Sequence, residues 1–202
     1  MTREKEASFD ELLQGRVPEG VLDRLAAYGA LLERWSSRHN LVRVANRKEL
    51  VERHILESLA PIQTLPQSGL LADVGSGAGL PGVPLLCAMD QWSGVLIEPR
   101  QKRWAFLSLV IRELGLNARV VRARYETIED DRFDLVTARA VGGHEALLAW
   151  AAERLNPAGV VALWVTNNEV QSLGGLLGWS MVSSALPGLE RGRLILFKVC
   201  ST

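Results

Sequence analysis

A glycine-rich segment from Asp73 to Gly82 constrains this chain more than any other feature of its sequence. The segment reads DVGSGAGLPG, and it lies between a short apolar run and a stretch opened by Pro81 and Pro84. The apolar run is typical of a strand, and the two prolines favour the first turn of a helix. Glycines let the backbone turn sharply and let a ligand approach without a Cβ in the way. The segment therefore predicts a strand–loop–helix unit that holds a nucleoside-type cofactor.

The positions of the glycines and of Asp73 distinguish two classes of cofactor. A dinucleotide fingerprint has its third glycine where this chain has Leu80, and here the third glycine, Gly79, comes one residue early. A carboxylate at Asp73 would repel a pyrophosphate, whereas it attracts the sulfonium and ammonium groups of S-adenosylmethionine. We therefore expect S-adenosyl-L-methionine as the cofactor, with Asp73, Gly75 and Gly77 among its binding residues.

The pattern along the rest of the chain predicts one α/β domain. Apolar residues at helical spacing indicate a helix from Pro18 to about Trp35, and a second from an Asn46 cap towards Leu59, with Glu49 completing a capping box. From residue 70, short apolar runs alternate with helical stretches, which is typical of βαβ units and a parallel sheet. The predicted strands are 69–74, 95–97, 119–121, 133–137 and 160–165, with helices at 102–114 and 145–155 and a closing hairpin of 179–186 and 193–199 around Pro187-Gly188.

This arrangement is that of a class I S-adenosylmethionine-dependent methyltransferase: a Rossmann-like sheet, mostly parallel, with a C-terminal antiparallel hairpin. We predict an N-terminal helical extension over residues 1–66 and the methyltransferase domain over 67–202, packed as one compact unit.

Composition narrows the classes of protein that the chain can belong to. No apolar run reaches the about 18 residues of a membrane span, and the N-terminus lacks a signal-peptide pattern. Two distant cysteines, Cys87 and Cys200, do not suggest a disulfide scaffold or a metal site. We expect a cytoplasmic protein without a metal. The net charge is zero, but residues 34–54 and 100–124 are both basic, so they form either a face for a polyanion or ordinary solvated helix surfaces.

Three further positions follow predicted strands, where ligands bind in this architecture. Glu98 ends the second strand and can accept both ribose hydroxyls, or it can stabilise the dipole of the following helix. Tyr125-Glu126 follows the third strand, beside the expected adenine, although alone the pair is typical of an ordinary loop. Arg139 follows the fourth strand and binds a carboxylate or phosphate in the cleft, unless it forms a surface ion pair.

Several motifs together resemble the bacterial small-subunit rRNA methyltransferase G family, also called glucose-inhibited division protein B. The similarity covers nearly the whole chain, and the Pro-Gly-x-Pro ending of the cofactor loop is far more specific than its glycines. The matching segments are Trp35…Asn40-Leu41-Val42 (W…NLT), Arg53 to Leu59 (HxxDSL), Asp73 to Pro84 (DVGTGAGxPGxP), Glu98 to Leu107 (DSxxKRxxFL), Arg124-Tyr125-Glu126 (RAE), Ala138 to Val141 (ARAV) and the last strand, Arg193 to Lys198.

The resemblance implies an activity and a set of binding residues. The family transfers the methyl group of S-adenosylmethionine to N7 of a guanosine in the 530 loop of 16S rRNA, position 527 in the usual bacterial rRNA numbering, and releases S-adenosyl-L-homocysteine. The implied cofactor contacts are Gly75, Leu80, Tyr125, Glu126 and Arg139, with Glu98 as the ribose acceptor. The expected partner is 16S rRNA, within the 30S subunit or an assembly intermediate, bound by a monomer. The two basic segments supply the expected phosphate contacts, Arg43, Arg47, Lys48, Lys102 and Arg103, and the matched N-terminal motifs add Asn40 and His54 as expected RNA contacts.

The chemistry of this reaction predicts no catalytic residue. Guanine N7 has a free lone pair and needs no general base, so placing N7 in line with the methyl group and sulfur can be sufficient. His54 is therefore expected to be structural or to face RNA. Two positions depart from the family: Trp164-Val165-Thr166 stands where a Lys-Gly is common after the fifth strand, and Tyr125 replaces a small residue.

Two other functions share parts of this pattern. A methyltransferase for a small molecule or a protein would keep Asp73, the glycines and Glu98, but it would not need the basic segments or the N-terminal motifs. A non-catalytic Rossmann-type nucleotide-binding module is disfavoured by Leu80 and Asp73.

Overall fold

A seven-stranded sheet forms the centre of the molecule. The computed structural model describes residues 6–129, 131–174, 176, 178–186 and 192–200. The strand order is β3-β2-β1-β4-β5-β7-β6, and β1 to β5 are parallel, whereas β7 is antiparallel to both β5 and β6. The strands are β1 (Gly69–Val74), β2 (Trp92–Ile97), β3 (Ala118–Val121), β4 (Phe133–Arg139), β5 (Leu155–Thr166), β6 (Trp179–Ala185) and β7 (Gly192–Val199).

This topology confirms the predicted fold class, including the closing antiparallel hairpin. Strand β5 begins at Leu155, five residues before the predicted start, because the chain passes from the preceding helix directly into the sheet. The predicted hairpin turn at Pro187-Gly188 lies outside the described residues.

Helices cover both faces of the sheet. They are α1 (Phe9–Leu13), α2 (Glu19–His39), α3 (Arg47–Leu50), α4 (Gly82–Ala88), α5 (Gln101–Leu114), α6 (His144–Arg154) and α7 (Asn167–Leu173). A π-helical turn, Val51–Leu56, continues α3, and 3₁₀ turns occupy Ile62–Thr64 and Tyr125–Thr127. In the part of the chain described, no helix is long and apolar enough to cross a membrane.

The N-terminal helices share the apolar core on one face of the sheet. Helix α2 packs on α4 and α5, where Leu32 and Phe106 have no exposed surface and the Trp35 and Phe106 rings lie 5.4 Å apart. One cluster of buried side chains joins Leu13 of α1 to Leu71 of β1. The division of the chain at residue 66 stays a prediction, since this core crosses it without a break.

The second predicted helix differs from expectation in two ways. The Asn46 side chain accepts the Glu49 N–H at 2.8 Å, which confirms the cap, but the Glu49 carboxylate accepts from Ala45 N–H at 2.6 Å rather than from Asn46, so the capping box is wrong. The π-helical turn then changes the face that follows it. Glu57 and Ser58 become buried, while Leu59, at the predicted end of this helix, is only partly buried.

Candidate functional site

The glycine-rich loop after β1 has a backbone that other residues could not adopt freely. Gly75 has φ +66°, and a Cβ there would lie 2.9 Å from Val141 Cγ2. Helix α2 holds the loop from the other side, because the buried Tyr28 hydroxyl donates to the carbonyl of Ala78 at 2.8 Å. The loop is thus fixed both by its own backbone and by the N-terminal extension.

Asp73 lies beneath this loop and has no exposed surface. Its Oδ1 accepts from the Thr137 hydroxyl at 2.8 Å, and a Cβ on Gly82 would lie 2.7 Å from its Oδ2, so only glycine fits there. Burial raises the Asp73 pKa to about 6, although hydrogen bonding from Thr137 and Ser76 lowers it in part. Asp73 therefore supports the loop from below. A direct attraction between the Asp73 carboxylate and the positive groups of the cofactor stays a prediction. In this conformation Asp73 has no exposed surface.

Glu98 lies at the end of β2 and is also almost completely buried. One carboxylate oxygen accepts the Gly77 N–H at 3.0 Å and the other accepts the Arg100 N–H at 2.8 Å, while Arg103 Nη1 lies 3.9 Å away. Because Arg100 is the N-cap of α5, Glu98 both fixes the glycine loop and stabilises the start of that helix. Of the two roles expected for Glu98, stabilisation of the following helix is therefore observed. A hydrogen bond to the ribose stays a prediction.

A first cavity of about 410 Å³ lies at the C-terminal ends of β2 and β3, and we call it the β2–β3 cavity. Among the predicted cofactor residues, Gly75, Tyr125 and Glu126 line it. The Tyr125 ring packs edge-on against Trp150, with ring centroids 5.3 Å apart. Burial raises the Tyr125 pKa, so its hydroxyl stays protonated at neutral pH and can donate a hydrogen bond.

A second cavity of about 460 Å³ lies at the ends of β4 and β5, and we call it the β4–β5 cavity. Arg139 lines it from β4 and Trp164 from β5, and Arg53 and Glu57 line it from the N-terminal extension. Ala140, at its edge, has φ +55°, a left-handed conformation that non-glycine residues rarely adopt away from functional sites.

An ion pair joins the two sides of the β4–β5 cavity. Arg139 Nη2 lies 3.0 Å from Glu57 Oε2 and donates to the Arg53 carbonyl at 2.8 Å, while Trp164 Nε1 donates to the Glu57 carbonyl at 2.9 Å. Burial raises the Glu57 pKa and lowers that of Arg139, and the attraction between the two opposes both shifts. Glu57 Oε1 and Arg139 Nη1 are buried without a hydrogen-bond partner among the described residues. The two residues that carry this unused acceptor and this unused donor both line the cavity.

His54 lies one helical turn before Ser58 and is partly buried. Burial, together with the nearby positive charge of Arg139, lowers the His54 pKa to about 4. The imidazole is therefore neutral at physiological pH, which fits the predicted structural role better than a contact between an imidazolium and phosphate.

The predicted RNA-binding residues do not all have the same surroundings. Asn40, Arg43 and Arg47 line one surface cavity of about 600 Å³ beside the end of α2. Arg47 is engaged there, because its guanidinium bonds both carboxylate oxygens of Glu33 at 2.8 and 3.0 Å and lies over the Phe9 ring. Exposed, by contrast, are Asn40, Arg43, Lys48 and Lys102.

Two other predicted residues lie near the loop. Arg103, on α5, approaches Glu98, and its Nη1 would lie 3.6 Å from a Cβ on Gly77. Leu80 is partly buried against the apolar core and, among the described residues, lines neither the β2–β3 nor the β4–β5 cavity. Both residues keep their predicted binding roles only as predictions.

Sequence reasoning did not identify Glu57, Tyr28 or Trp164 as site residues. Glu57 stands within the HxxDSL-like segment, which signalled that the segment matters but not which side chain meets Arg139. Tyr28 was one apolar position among many in a helical pattern. Trp164 was noted only as a departure from the family.

Comparison with known sequences places this geometry in context. The family model described as rRNA small subunit methyltransferase G matches residues 21–171. Ribosomal RNA small subunit methyltransferase G of Wolinella succinogenes is 41% identical over 138 residues, which are 68% of this chain and 71% of that protein. The protein of the same name from Acidiphilium cryptum is 38% identical over 181 residues, 88% of this chain and 83% of that protein.

Solved structures support the fold independently of sequence. A methyltransferase from Pyrococcus furiosus superposes with a TM-score of 0.63 at 20% identity, over 88% of this chain and 98% of that one. A SAM-dependent methyltransferase from Thiobacillus denitrificans, in complex with S-adenosyl-L-homocysteine, has a TM-score of 0.58 at 14% identity, over 82% of this chain and 96% of that one.

Proposed function

This chain belongs to the rRNA small subunit methyltransferase G family, and from that premise we propose that it methylates N7 of a guanosine in the 530 loop of 16S rRNA. It is an S-adenosylmethionine-dependent rRNA methyltransferase. The proposal concerns the target atom, its place in the rRNA, and the residues that bind cofactor and RNA.

The described residues fit the proposed cofactor. The β2–β3 cavity has the polar and apolar lining that an adenosine needs, with Gly75 keeping its entrance free of a Cβ and Tyr125 and Glu126 at its side. The unpartnered Nη1 of Arg139 is a buried cationic donor that suits the carboxylate of the methionine part. Asp73, Gly77, Leu80 and Glu98 remain proposed cofactor contacts, and the hydrogen bond from Gly77 to Glu98 also holds the loop.

The single observation that carries the acceptor site is the β4–β5 cavity, where Arg139 ends the strand that pairs with β1. In an open parallel sheet, ligands bind outside the C-terminal ends of the strands where the strand order reverses, which here is between β1 and β4. S-adenosylmethionine supplies an electrophilic methyl group when bound. Since guanine N7 needs no base, the residues of this chain have only to orient the purine and exclude water, and such positioning can lower a barrier by several kcal/mol.

The proposed RNA surface rests on exposed cations near the cofactor side. Arg43, Lys48 and Lys102 are exposed and suit phosphate contacts, whereas Arg47 acts in holding the extension together. Asn40 and Arg103 lie at the two ends of this surface, and His54 acts as a neutral neighbour of the acceptor cavity. We expect binding to fall steeply with salt, because each phosphate contact releases a counterion.

A methyl-transfer assay tests the function directly. Tritiated S-adenosylmethionine is offered with 30S subunits, intact 16S rRNA and total protein, and we expect label in rRNA, at a site cleaved by the reduction–aniline chemistry that detects 7-methylguanosine. Label in protein alone, or in rRNA without that cleavage, would contradict the proposal. The comparison of 30S subunits with naked 16S rRNA reports which assembly stage is the substrate.

Two measurements test the binding half of the proposal. Calorimetry is expected to show binding of S-adenosylhomocysteine and none of NAD, and the reverse would indicate a nucleotide-binding module. Filter binding of 16S rRNA to a variant carrying Arg43→Gln, Lys48→Gln and Lys102→Gln is expected to have a shallower salt dependence, while a matched Arg112→Gln variant, at the far end of α5, keeps the wild-type slope. We further propose that the protein acts in the cytoplasm as a monomer, which sedimentation would check.

A further inference from the structure

The buried carboxylate of Glu57 has one oxygen that its ion pair with Arg139 does not use. Only 1% of its side chain is exposed, and it lines the β4–β5 cavity together with Arg139 and Trp164. Its Oε2 pairs with Arg139 at 3.0 Å, whereas Oε1 is buried with no partner among the described residues. A buried acceptor without a donor is unfavourable, and proteins retain one mainly where a ligand or water completes it.

The segment that carries Glu57 is held rigidly at this position. Trp164 Nε1 donates to the Glu57 carbonyl at 2.9 Å, and Arg139 donates to the carbonyl of Arg53 at 2.8 Å, four residues earlier. Both donors come from the ends of adjacent strands of the sheet. The backbone that carries this carboxylate is thus fixed relative to the ends of β4 and β5. A side chain that distinguishes one base from another needs such a fixed position.

We propose that Glu57 is a specificity-determining residue that accepts a hydrogen bond from N1–H of the target guanine. This inference rests on the proposed function, because it takes guanine as the acceptor and N7 as its reacting atom. In this proposal N7 is directed at the methyl group and the six-membered ring of the purine is turned so that its N1 position meets Glu57. Guanine then offers a donor at N1, whereas adenine offers an acceptor at N1, which a carboxylate repels.

This assignment divides the two unpartnered groups between two ligands. Arg139 Nη1, a donor, suits the methionine carboxylate of the cofactor, and Glu57 Oε1, an acceptor, suits the base. The ion pair between them links the cofactor to the base that it methylates. Trp164 contributes a flat apolar wall to the same cavity, where the family commonly has a lysine.

The test is a cycle of one protein change and one base change. 16S rRNA assembled by ligation carries guanosine or adenosine at the position that the wild-type enzyme methylates, and kcat/KM is measured for wild type and Glu57→Gln. In the variant, whichever way the amide is turned, one of the bonds to Arg139 and to N1–H is lost. We expect the guanosine-to-adenosine ratio to fall about ten- to a hundredfold, since hydrogen bonds to charged groups are worth about 1.5–3 kcal/mol. Dividing the wild-type ratio by the variant's ratio cancels the difference in intrinsic reactivity between the two bases.

A matched control and a second readout separate the alternatives. Glu52→Gln removes a charge from the same helical segment, where the side chain is 37% exposed and pairs with Arg16, so its ratio should remain that of wild type. S-adenosylhomocysteine affinity should change less than about twofold in Glu57→Gln. An unchanged ratio, or a loss of cofactor affinity in place of discrimination, overturns the inference. Absence of guanosine methylation by the wild-type enzyme would instead refute the proposed function.

If Glu57→Gln does not fold, Glu57→Asp keeps the charge while withdrawing the carboxylate by one methylene. Its guanosine-to-adenosine ratio should then lie between those of wild type and an enzyme without discrimination. A wild-type ratio in Glu57→Asp would equally overturn the inference.

Discussion

The two cavities of this protein are built by different means, although they lie at the same edge of one sheet. The β2–β3 cavity is lined by the segments that follow β1, β2 and β3, together with Val141, and the glycine loop among them is held by its own backbone and by the Gly77 N–H that donates to Glu98. The β4–β5 cavity is lined by residues of the N-terminal extension, the ends of β4 and β5, helix α7 and the closing hairpin, and the pair of Arg139 and Glu57 joins the extension to the sheet. If the β2–β3 cavity is called the cofactor half and the β4–β5 cavity the acceptor half, as the proposed function assigns them, the first depends mainly on main-chain geometry and the second on one buried ion pair.

The largest effect is expected from a substitution that removes the buried cation of the β4–β5 cavity. Arg139→Met leaves the Glu57 carboxylate buried without a partner, so we expect the free energy of unfolding to fall by about 3–4 kcal/mol in urea titrations. Arg53→Met is the matched control, because it also removes an arginine that pairs with a glutamate, but at the surface. The Arg53 side chain is 55% exposed and lies 3.6 Å from Glu49, so its loss should cost less than about 1 kcal/mol.

A double variant sharpens this result. Glu57→Met combined with Arg139→Met removes both charges, and it should recover much of the loss, since apolar replacements of a buried pair are often neutral. Equal losses in Arg139→Met and Arg53→Met would show that the buried pair does not hold the acceptor half.

The next largest effect is expected from a substitution in the backbone of the glycine loop. Gly75→Ala introduces a Cβ at φ +66° and 2.9 Å from Val141 Cγ2, so we expect S-adenosylhomocysteine affinity to fall about a hundredfold, or about 2.7 kcal/mol, by calorimetry. Gly115→Ala is the control, because Gly115 has φ +60° but no atom within 4 Å of a built Cβ. It should reduce stability by about 1 kcal/mol through backbone strain while cofactor affinity is unchanged. Similar affinity losses in the two variants would make strain, and not loop geometry, the cause.

Acid should affect the two halves in opposite directions. The folded-state pKa of His54 is lowered from 6.5 to about 4, so the unfolded chain binds more protons between these values, and this contribution to stability is lost as pH falls from 6.5 to 4. The Asp73 pKa is raised from 3.8 to about 6, so its contribution is present at low pH and is lost as pH rises through 6.

Urea titrations at pH 4.5 and 7.5 check these signs by comparison with variants that do not titrate. Relative to His54→Gln, the wild type should lose about 2 kcal/mol on acidification, because each pKa unit corresponds to about 1.4 kcal/mol and part of the shift is screened. Relative to Asp73→Asn, the wild type should gain stability on acidification. The same sign for both differences would contradict the contrast between the halves.

The smallest expected effect concerns the contact between the N-terminal extension and the cofactor loop. Tyr28→Phe leaves the packing intact but removes the 2.8 Å hydrogen bond to Ala78, so we expect about 1 kcal/mol less stability and a severalfold weaker binding of S-adenosylhomocysteine. Ser37→Ala, which removes an exposed hydroxyl bonded to Arg34 on the same helix, should leave that affinity unchanged. An unchanged affinity in Tyr28→Phe would mean that the loop keeps its shape without the extension.

The sequence predicted the glycine loop of the β2–β3 cavity more accurately than the segment that carries Glu57 to the β4–β5 cavity. The strand, glycine loop and helix around Asp73 were predictable because turn chemistry and apolar periodicity act between residues close in sequence. The capping box at Asn46 was wrong because the Glu49 carboxylate accepts from the N–H of Ala45, one residue before the cap, and the spacing of the residues does not distinguish these two donors. The π-helical turn after α3 was not predicted, and neither was the burial of Glu57 that follows it.

The sequence by itself determined the fold class, the cofactor loop and the family, since each depends on short motifs whose residues contact one another or a common backbone. Only the tertiary structure decided that Asp73 and Glu98 serve the loop from beneath and that Glu57 meets Arg139, 82 positions away, and Trp164, 107 positions away. The physical reason is that burial and charge pairing between distant segments depend on how sheet and extension pack together. Spacing along the chain carries no measure of that distance.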